Sequence, residues 1–223
     1  MKIIDPSFEM LSPSCTYYGV QVLRFIEKLA RISHRSEEAQ TSDSWEPFIK
    51  AVVLGHGDWS VVEHSSATVI FRVDRGITHE LVRHRLFSFT QESTRFVKYG
   101  GKQVQELEFI RPQIYNDAPN LDPLHWKTAV RAAEGHYHQL LSDGCRPQEA
   151  RSVLPNAVAA TIAVTGNYRN WRHFLLMRTT KESHPDMKRV TIPLLKTFQE
   201  RVPLLFDDIE PDARQIDNLK KPR

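Results

Sequence analysis

Two periods run through the apolar and polar positions of this chain. Val22, Phe25, Ile26, Leu29 and Ile32 fall at helical spacing while Arg24, Glu27, Lys28 and Arg31 face elsewhere, which predicts an amphipathic helix over residues 17–33. Residues 1–16, with Pro6 and Pro13, suit an extended entry instead. A polar loop over 34–43 leads to Ser44, which is placed to cap a second helix through Trp45, Phe48, Val52 and Val53 that Gly55 and Gly57 stop. The period then changes to two. Ala67, Val69, Phe71 and Val73 alternate with Thr68, Ile70, Arg72 and Asp74, the pattern of a half-buried strand. Gly76 is expected to break that strand, and Ile77, Leu81 and Val82 restart helical spacing just ahead of Arg83.

Beyond this point the apolar runs are shorter. Residues 95–99 and 107–110 read as short strands around Gly100 and Gly101, hence a hairpin or a neighbouring strand pair. Asp122 and Pro123 open a long helix through Trp126, Ala129, Val130, Ala133, Tyr137, Leu140 and Leu141, which Gly144 ends. Pro147 opens a short helix that stops at Pro155, and the β-branched run 157–167 predicts a buried strand. Residues 170–179 return to helical spacing, with Trp171, Phe174 and Leu175 inward and Arg172 on a solvated face. A last helical pattern over 185–202 carries Pro193, which should kink or divide it; the tail beyond Phe206, acidic and then basic, is expected to be loose. Strands this few and this irregularly spaced do not make repeated βαβ units. The expectation is an α+β fold with a small sheet, as one domain over 1–223.

Composition narrows the function classes without choosing among them. A formal charge of +3 with 27 acidic residues gives a mildly basic chain suited to an anionic ligand, without the basic excess of a nucleic-acid binder. The two cysteines, Cys15 and Cys145, are far apart and lack CxxC spacing, so neither a disulfide framework nor a zinc site is indicated. None of His79, His84, His136, His138, His173 and His184 falls in an HExxH or similar ligand spacing, and no metal is expected. With no apolar run of about 18 residues and no signal-like N-terminus, no membrane partner is expected and a cytoplasmic location is the default.

The densest chemistry lies in RHRLFSFTQESTR, residues 83–95. At about 100° per residue, Arg83, His84 and Arg85 point three ways on a helix and cannot converge on one small group unless the helix ends there. They can instead serve different groups or different subunits. Arginine pairs bidentately with phosphate or carboxylate, and Ser88, Gln91 and Ser93 add hydrogen-bonding groups suited to an anionic, nucleotide-like ligand. A solvated basic helix end making surface ion pairs is the competing reading of the same residues. Ser93 has no GxSxG elbow or triad around it, so ligand contact is favoured over nucleophilic catalysis.

The spacing RHR, seven residues, serine, one residue, arginine resembles the signature of the flavin-dependent thymidylate synthases, read here at Arg83, His84, Arg85, Ser88, Ser93 and Arg95. Similar elements flank it in order: residues 30–33 (ARIS), Ser60 with Glu63 and His64, Ala150-Arg151 followed by 153–155 (VLP), then Asn167, Arg169, His173 and Arg178. The resemblance implies that dUMP becomes dTMP, with methylenetetrahydrofolate giving the one-carbon unit and FAD, reduced by NADPH, the hydride. It also implies a small, mainly antiparallel sheet packed with helices, and a homotetramer with active sites shared between subunits. By the same carry-over, Ser33, Ser60, Arg83, His84, Arg85, Gln91, Asn167, Arg169 and His173 would hold FAD. Glu80, Arg83, Gln91, Glu92, Ser93, Thr94, Arg95, Arg151 and Arg178 would surround dUMP, with Arg178 as the catalytic choice. No enzyme cysteine would serve as nucleophile. Gln91 stands where many members carry glutamate and His173 where asparagine is common; 181–189 (KESHPDMKR) replaces the family's AQxEIR, so the C-terminal third is expected to pack differently. Two alternatives remain at this point: a nucleic-acid-binding module with arginines on phosphates, and a flavoprotein of this fold that has lost methyl transfer.

Overall fold

The computed structural model describes residues 1–11, 19–100, 106–118 and 120–211. In chain order the elements are β1 (Lys2–Ile4), β2 (Ser7–Leu11), α1 (Val20–Ile32), α2 (Trp45–Phe48), β3 (Ser66–Asp74), α3 (Arg75–Leu81), β4 (Ser88–Gln91), β5 (Glu108–Ile110), α4 (Ile114–Asp117), α5 (Leu124–Ser142), α6 (Pro147–Ala150), β6 (Ala159–Asn167), α7 (Tyr168–Arg178) and α8 (Pro185–Arg201). Short 3-10 or π turns fill several joints, among them Trp59–His64 and Ile49–Gly55. The fold class is α+β.

Four strands form one sheet in the order β2-β3-β6-β4, while β1 and β5 form a separate parallel pair. The Thr68 and Thr165 hydroxyls meet at 2.8 Å, and the Arg72 guanidinium donates to the Thr161 hydroxyl at 2.8 Å. Positions rising along β3 thus meet positions falling along β6, the antiparallel arrangement. On β3 the predicted inward set, Ala67, Val69, Phe71 and Val73, is buried and the alternate set is not. Period two decides this strand because one face alone reaches the core.

Several expectations need correction. Residues 107–110 do not return as a hairpin: Glu108 lies opposite Lys2 and Ile110 opposite Ile4, and Thr94, Arg95 and Phe96 form a turn. The residues that would make the hairpin loop, 101–105, lie outside the described residues. Gly76 does not end β3. Asp74 does, by accepting a hydrogen bond from the Ile77 amide and capping α3, so Gly76 sits inside that helix. Ser44 gives α2 no side-chain cap; its hydroxyl oxygen accepts from the Thr41 amide at 2.8 Å. Pro193 lies within α8 without dividing it. The extended entry comprises β1 and β2, α1 begins at Val20, and the stretches 12–18 and 212–223, on which the predicted helix start and loose tail fall, are outside the described residues.

The chain groups into two compact units, each assembled from separated stretches. Unit 1 comprises Met1–Glu9, Ile70–Arg85 and Phe89–Val164. Its core gathers Tyr99, Leu107, Phe109, Val130, Tyr137, Ala150 and Val158, with Cys145 packed at the margin. Unit 2 comprises Met10–Val69, Leu86–Ser88 and Thr165–Arg223. An aromatic cluster fills it: Trp171 contacts Phe87, Phe174 and Phe198, and Phe198 contacts Phe206. The buried Trp171 ring keeps its polar atom satisfied by donating to the Ala67 carbonyl at 3.0 Å. The Phe87 ring lies on bare backbone, since a Cβ on Gly166 would come within 2.1 Å of it. This close approach seats the middle of the RHRLFSF stretch and requires glycine at 166.

Candidate functional site

In unit 1, α3 ends at Leu81 and the chain turns at once: the Arg83 amide donates to the Glu80 carbonyl and the His84 amide to the Leu81 carbonyl. The short helix therefore runs out at RHR, as the pattern predicts. Arg83 and Arg85 are exposed and His84 half-buried. The stretch beyond is a strand rather than a loop. β4 covers Ser88–Gln91, and the Glu92 amide extends the contact with β6 by donating to the Thr161 carbonyl at 2.8 Å. A tight turn follows, in which the Ser93 carbonyl accepts from the Phe96 and Val97 amides and the Ser93 hydroxyl oxygen from the Arg95 amide.

Next to this turn two arginines make reciprocal ties. Arg95 Nε donates to Gln148 Oε1 of α6 at 3.2 Å, and Arg151, which follows α6, donates back to the Thr94 hydroxyl at 3.2 Å. Both tethers are neutral, and both guanidiniums are exposed. Thr94, Arg95 and Arg151 are thus brought together, with Gln148 as a supporting residue absent from the sequence expectations. Its signal was faint: a glutamine three residues before Arg151, on the half-buried start of a one-turn helix. Gln91 is tied elsewhere, donating to the buried Thr78 hydroxyl at 3.0 Å.

Glu92 occupies a different kind of setting. Its Oε1 accepts from the Tyr99 hydroxyl at 2.5 Å, and its Oε2 accepts from Arg72 at 2.6 Å and from the Thr161 amide at 3.1 Å. Arg72 also donates to Glu108 at 2.9 Å, and Lys2 pairs with Glu108 on the other side. Burial pushes the Glu92 carboxyl up, but the Tyr99 hydroxyl, the Thr161 amide and Arg72 together outweigh it and leave the group below its ordinary value. Glu108 is also held low, burial opposing and Lys2 and Arg72 prevailing. Burial and then the Glu92 carboxylate push the Tyr99 phenol far up, so it stays a donor at any working pH. A cleft of about 460 Å³ opens beside this network, lined by Lys2, Arg72, Glu106, Glu108 and Thr161. None of the expected site residues lines it, and its charges are already answered: Lys2 and Arg72 pair with Glu108, and Glu106 with the N-terminal ammonium.

Unit 2 carries the remaining expected residues. Asn167 caps α7, its Oδ1 accepting from the Asn170 amide at 2.8 Å, so its side-chain N–H groups face away from the helix end. Arg169, exposed, pairs with Glu63 on the same 3-10 turn that carries the exposed Ser60. Ser33 ends α1 with its hydroxyl donated to the Ala30 carbonyl, and His173 is exposed. Arg178 closes α7 half-buried, and its carbonyl accepts from the Thr191 hydroxyl of α8 at 2.7 Å. Arg172 does not have the solvated face expected of it: its guanidinium lies over the Trp59 ring at 4.5 Å and binds the Leu205 carbonyl and Asp208. A planar cation can stack and pair at once, so helical position alone misjudges it.

Residues 20–204 match the family described as thymidylate synthase complementing protein. Relatives named flavin-dependent thymidylate synthase include one from Corynebacterium efficiens, 37% identical over 173 residues, which are 71% of this chain and 67% of the relative. Another, from Mycobacteroides abscessus, is 37% identical over 174 residues with the same coverage. The chain belongs to the flavin-dependent thymidylate synthase family. The fold agrees with that of a solved UMP/dUMP methylase, PolB from Streptomyces cacaoi bound with 5-Br dUMP, at a TM-score of 0.75 and 23% identity over 93% of this chain and 96% of that one.

Membership gives the two residue sets a common frame. Unit 1 presents exposed guanidiniums on Arg83 and Arg85, and unit 2 separately presents the exposed Ser60 and His173 and the outward amide of Asn167; donors of these types are what a flavin dinucleotide's pyrophosphate and polar ring edges accept from. The residues present therefore fit a flavin. Among the described residues, no group of three His, Cys, Asp or Glu gathers as a metal site, and no helix is long and apolar enough to cross a membrane.

Proposed function

We propose that this chain converts dUMP to dTMP, taking the one-carbon unit from methylenetetrahydrofolate, within a single functional domain. The observation that carries this reading is the Arg95–Arg151 pair, two exposed guanidiniums steadied by Thr94 and Gln148 with no carboxylate spent on either tie. Such a pair keeps its charge for a ligand and matches the 5′-phosphate of a nucleotide. Ser93 adds a hydroxyl and a turn of backbone amides. Glu80, Arg83 and Gln91 complete the nucleotide set, while Glu92, both of whose oxygens are engaged, holds the 91–95 segment in place.

Arg178 is assigned the chemical step. A fixed cation against the pyrimidine favours negative charge developing on the ring and orients it for attack by C5. Its place at the end of α7, where the Thr191 hydroxyl holds its backbone carbonyl, fixes the point from which the side chain extends. FAD, reduced by NADPH, would supply the hydride that completes the methyl group. Ser33, Ser60, Arg83, His84, Arg85, Gln91, Asn167, Arg169 and His173 would bind it and fix its orientation. No thiol is assigned a role, and Cys145 packs against the core of unit 1. We read the assembly as a cytoplasmic homotetramer. Its support is that Ile32, Leu86 and Phe96, immediate neighbours of Ser33, Arg85 and Arg95, are 56%, 78% and 76% exposed in the single chain, which favours cover by another copy.

The test is release of tritium from dUMP labelled at C5, with a yellow protein that bleaches under NADPH without oxygen. A colourless protein unable to take up FAD would overturn the reading. Arg178→Ala should abolish turnover and keep the flavin, and Arg83→Ala should weaken flavin binding first.

A further inference from the structure

The Thr78 hydroxyl lies 2.9 Å from the Arg75 carbonyl oxygen and 3.0 Å from the Gln91 carboxamide. Thr78 is fully buried in α3, and Gln91 ends β4 half-buried. Two oxygens 2.9 Å apart repel unless a proton lies between them, and here the hydroxyl is the only source of one. That proton is therefore committed to Arg75. The hydroxyl can then only accept from Gln91, so the carboxamide must turn its nitrogen toward Thr78. The usual ambiguity between amide oxygen and nitrogen is resolved by this chain of donors.

Resting on the proposed nucleotide reading, we infer that Thr78 is a positioning residue that fixes the Gln91 carboxamide with Oε1 and one N–H free for the ligand, a set complementary to an imide N–H and the carbonyl beside it. An imide of this kind is present on the uracil ring and on the flavin ring system. The relay also accounts for glutamine at this position. A carboxylate has no proton to give Thr78; it would draw the hydroxyl from Arg75 and present only acceptors to a ligand edge that carries acceptors on both sides of its N–H. In sequence, the sign was a threonine between Ile77 and Leu81 on the inward side of a short helix, where an apolar residue would ordinarily stand.

The test compares Thr78→Val and Thr78→Ser with the wild-type holoenzyme. Valine keeps the shape and loses the hydroxyl; serine keeps the hydroxyl. Thr78→Val is expected to raise either the KM for dUMP or the Kd for FAD about tenfold, roughly 1.4 kcal/mol, with kcat within about twofold. Thr78→Ser should restore the wild-type value. A change in KM identifies the uracil imide and a change in Kd the flavin imide. No change in either, or a Thr78→Ser that behaves like Thr78→Val, overturns the assignment. A second readout does not depend on turnover. In 15N-glutamine-labelled protein, the Gln91 side-chain amide protons should be protected from exchange in wild type and Thr78→Ser and lose protection in Thr78→Val; equal protection in all three overturns the inference even if the wild type consumes no dUMP. Absence of tritium release from the wild type, in contrast, counts against the proposed reaction alone.

Discussion

Arg72 and Arg95, both in unit 1, are arginines of opposite employment. Arg72 donates to Glu92, Glu108 and the Thr161 hydroxyl, and its side chain is 18% exposed. Arg95 has a neutral tether in Gln148 and stacks near Phe96, with its guanidinium open to solvent. The first is neutralised within the fold and the second is steadied without being neutralised. Charge count cannot distinguish them; the chemistry of the partner does. An arginine tied by carboxylates has its charge answered by the protein, whereas one tied by an amide or a hydroxyl has only its direction set. By that criterion Arg95 and Arg151 keep their charge for the ligand proposed above, whereas that of Arg72, for all its donors, is spent within the fold.

The largest expected effect follows from the open pair. Arg95→Ala should weaken dUMP binding about 100-fold, near 2.7 kcal/mol, as calorimetric titration would read it, since a charged hydrogen-bond partner of the phosphate is lost. Its melting temperature should move by no more than about 2 °C because the surface tie to Gln148 contributes little. The closed network should give the mirror image. Arg72→Met leaves Glu92 without its cation and Glu108 with Lys2 alone, and should cost about 2 kcal/mol, discounted for partial exposure, or roughly 4–8 °C by scanning calorimetry, with dUMP affinity changed less than about threefold. A drop in dUMP affinity for Arg72→Met as large as that for Arg95→Ala would abolish the distinction. A smaller effect is expected from adding Glu92→Gln to Arg72→Met. The double variant should be more stable than the sum of the single losses by at least about 1 kcal/mol, because each single change strands the other's charge.

The same contrast explains what could be read from the sequence. β3, α1, α5 and α7 were legible because one face of each meets a core, and burial writes a period of two or 3.6 into the residues; β6 was legible from its β-branched run instead. β4 was not: four residues bounded by RHR and a turn carry too few positions to show a period, and what makes them a strand is the neighbouring β6. β5 was read as a strand with the wrong partner, since register with β1 is set by residues far away in the chain. At the proposed site, motif spacing singled out Arg95 and Arg151, which the fold brings together. Thr78, Gln148, Arg72 and Tyr99 were not legible, because each acts on another protein group and such pairings leave no periodic trace. Arg172 was misplaced for the same reason: its partners Trp59, Leu205 and Asp208 come from distant stretches.

The gentlest probe of the closed network is acid. Glu92 and Glu108 both titrate in the folded state below their ordinary value of 4.5. A carboxyl depressed on folding stabilises the protein above its unfolded value, and that stability is lost as pH falls through the folded one. The melting temperature should therefore be insensitive to these two groups near neutrality and begin to fall as the pH drops below about 4.5. The open pair contributes nothing to this slope, because neither Arg95 nor Arg151 is tied to a carboxylate. Arg95→Ala should thus reproduce the wild-type acid limb. Arg72→Met should flatten it, since without the guanidinium the burial of both carboxyls pushes them upward again and the protons taken up on unfolding become fewer. An acid limb unchanged in Arg72→Met would mean that Tyr99, Lys2 and the Thr161 amide hold the two carboxyls low by themselves, and the network would then be closed by hydrogen bonds rather than by the cation at its centre.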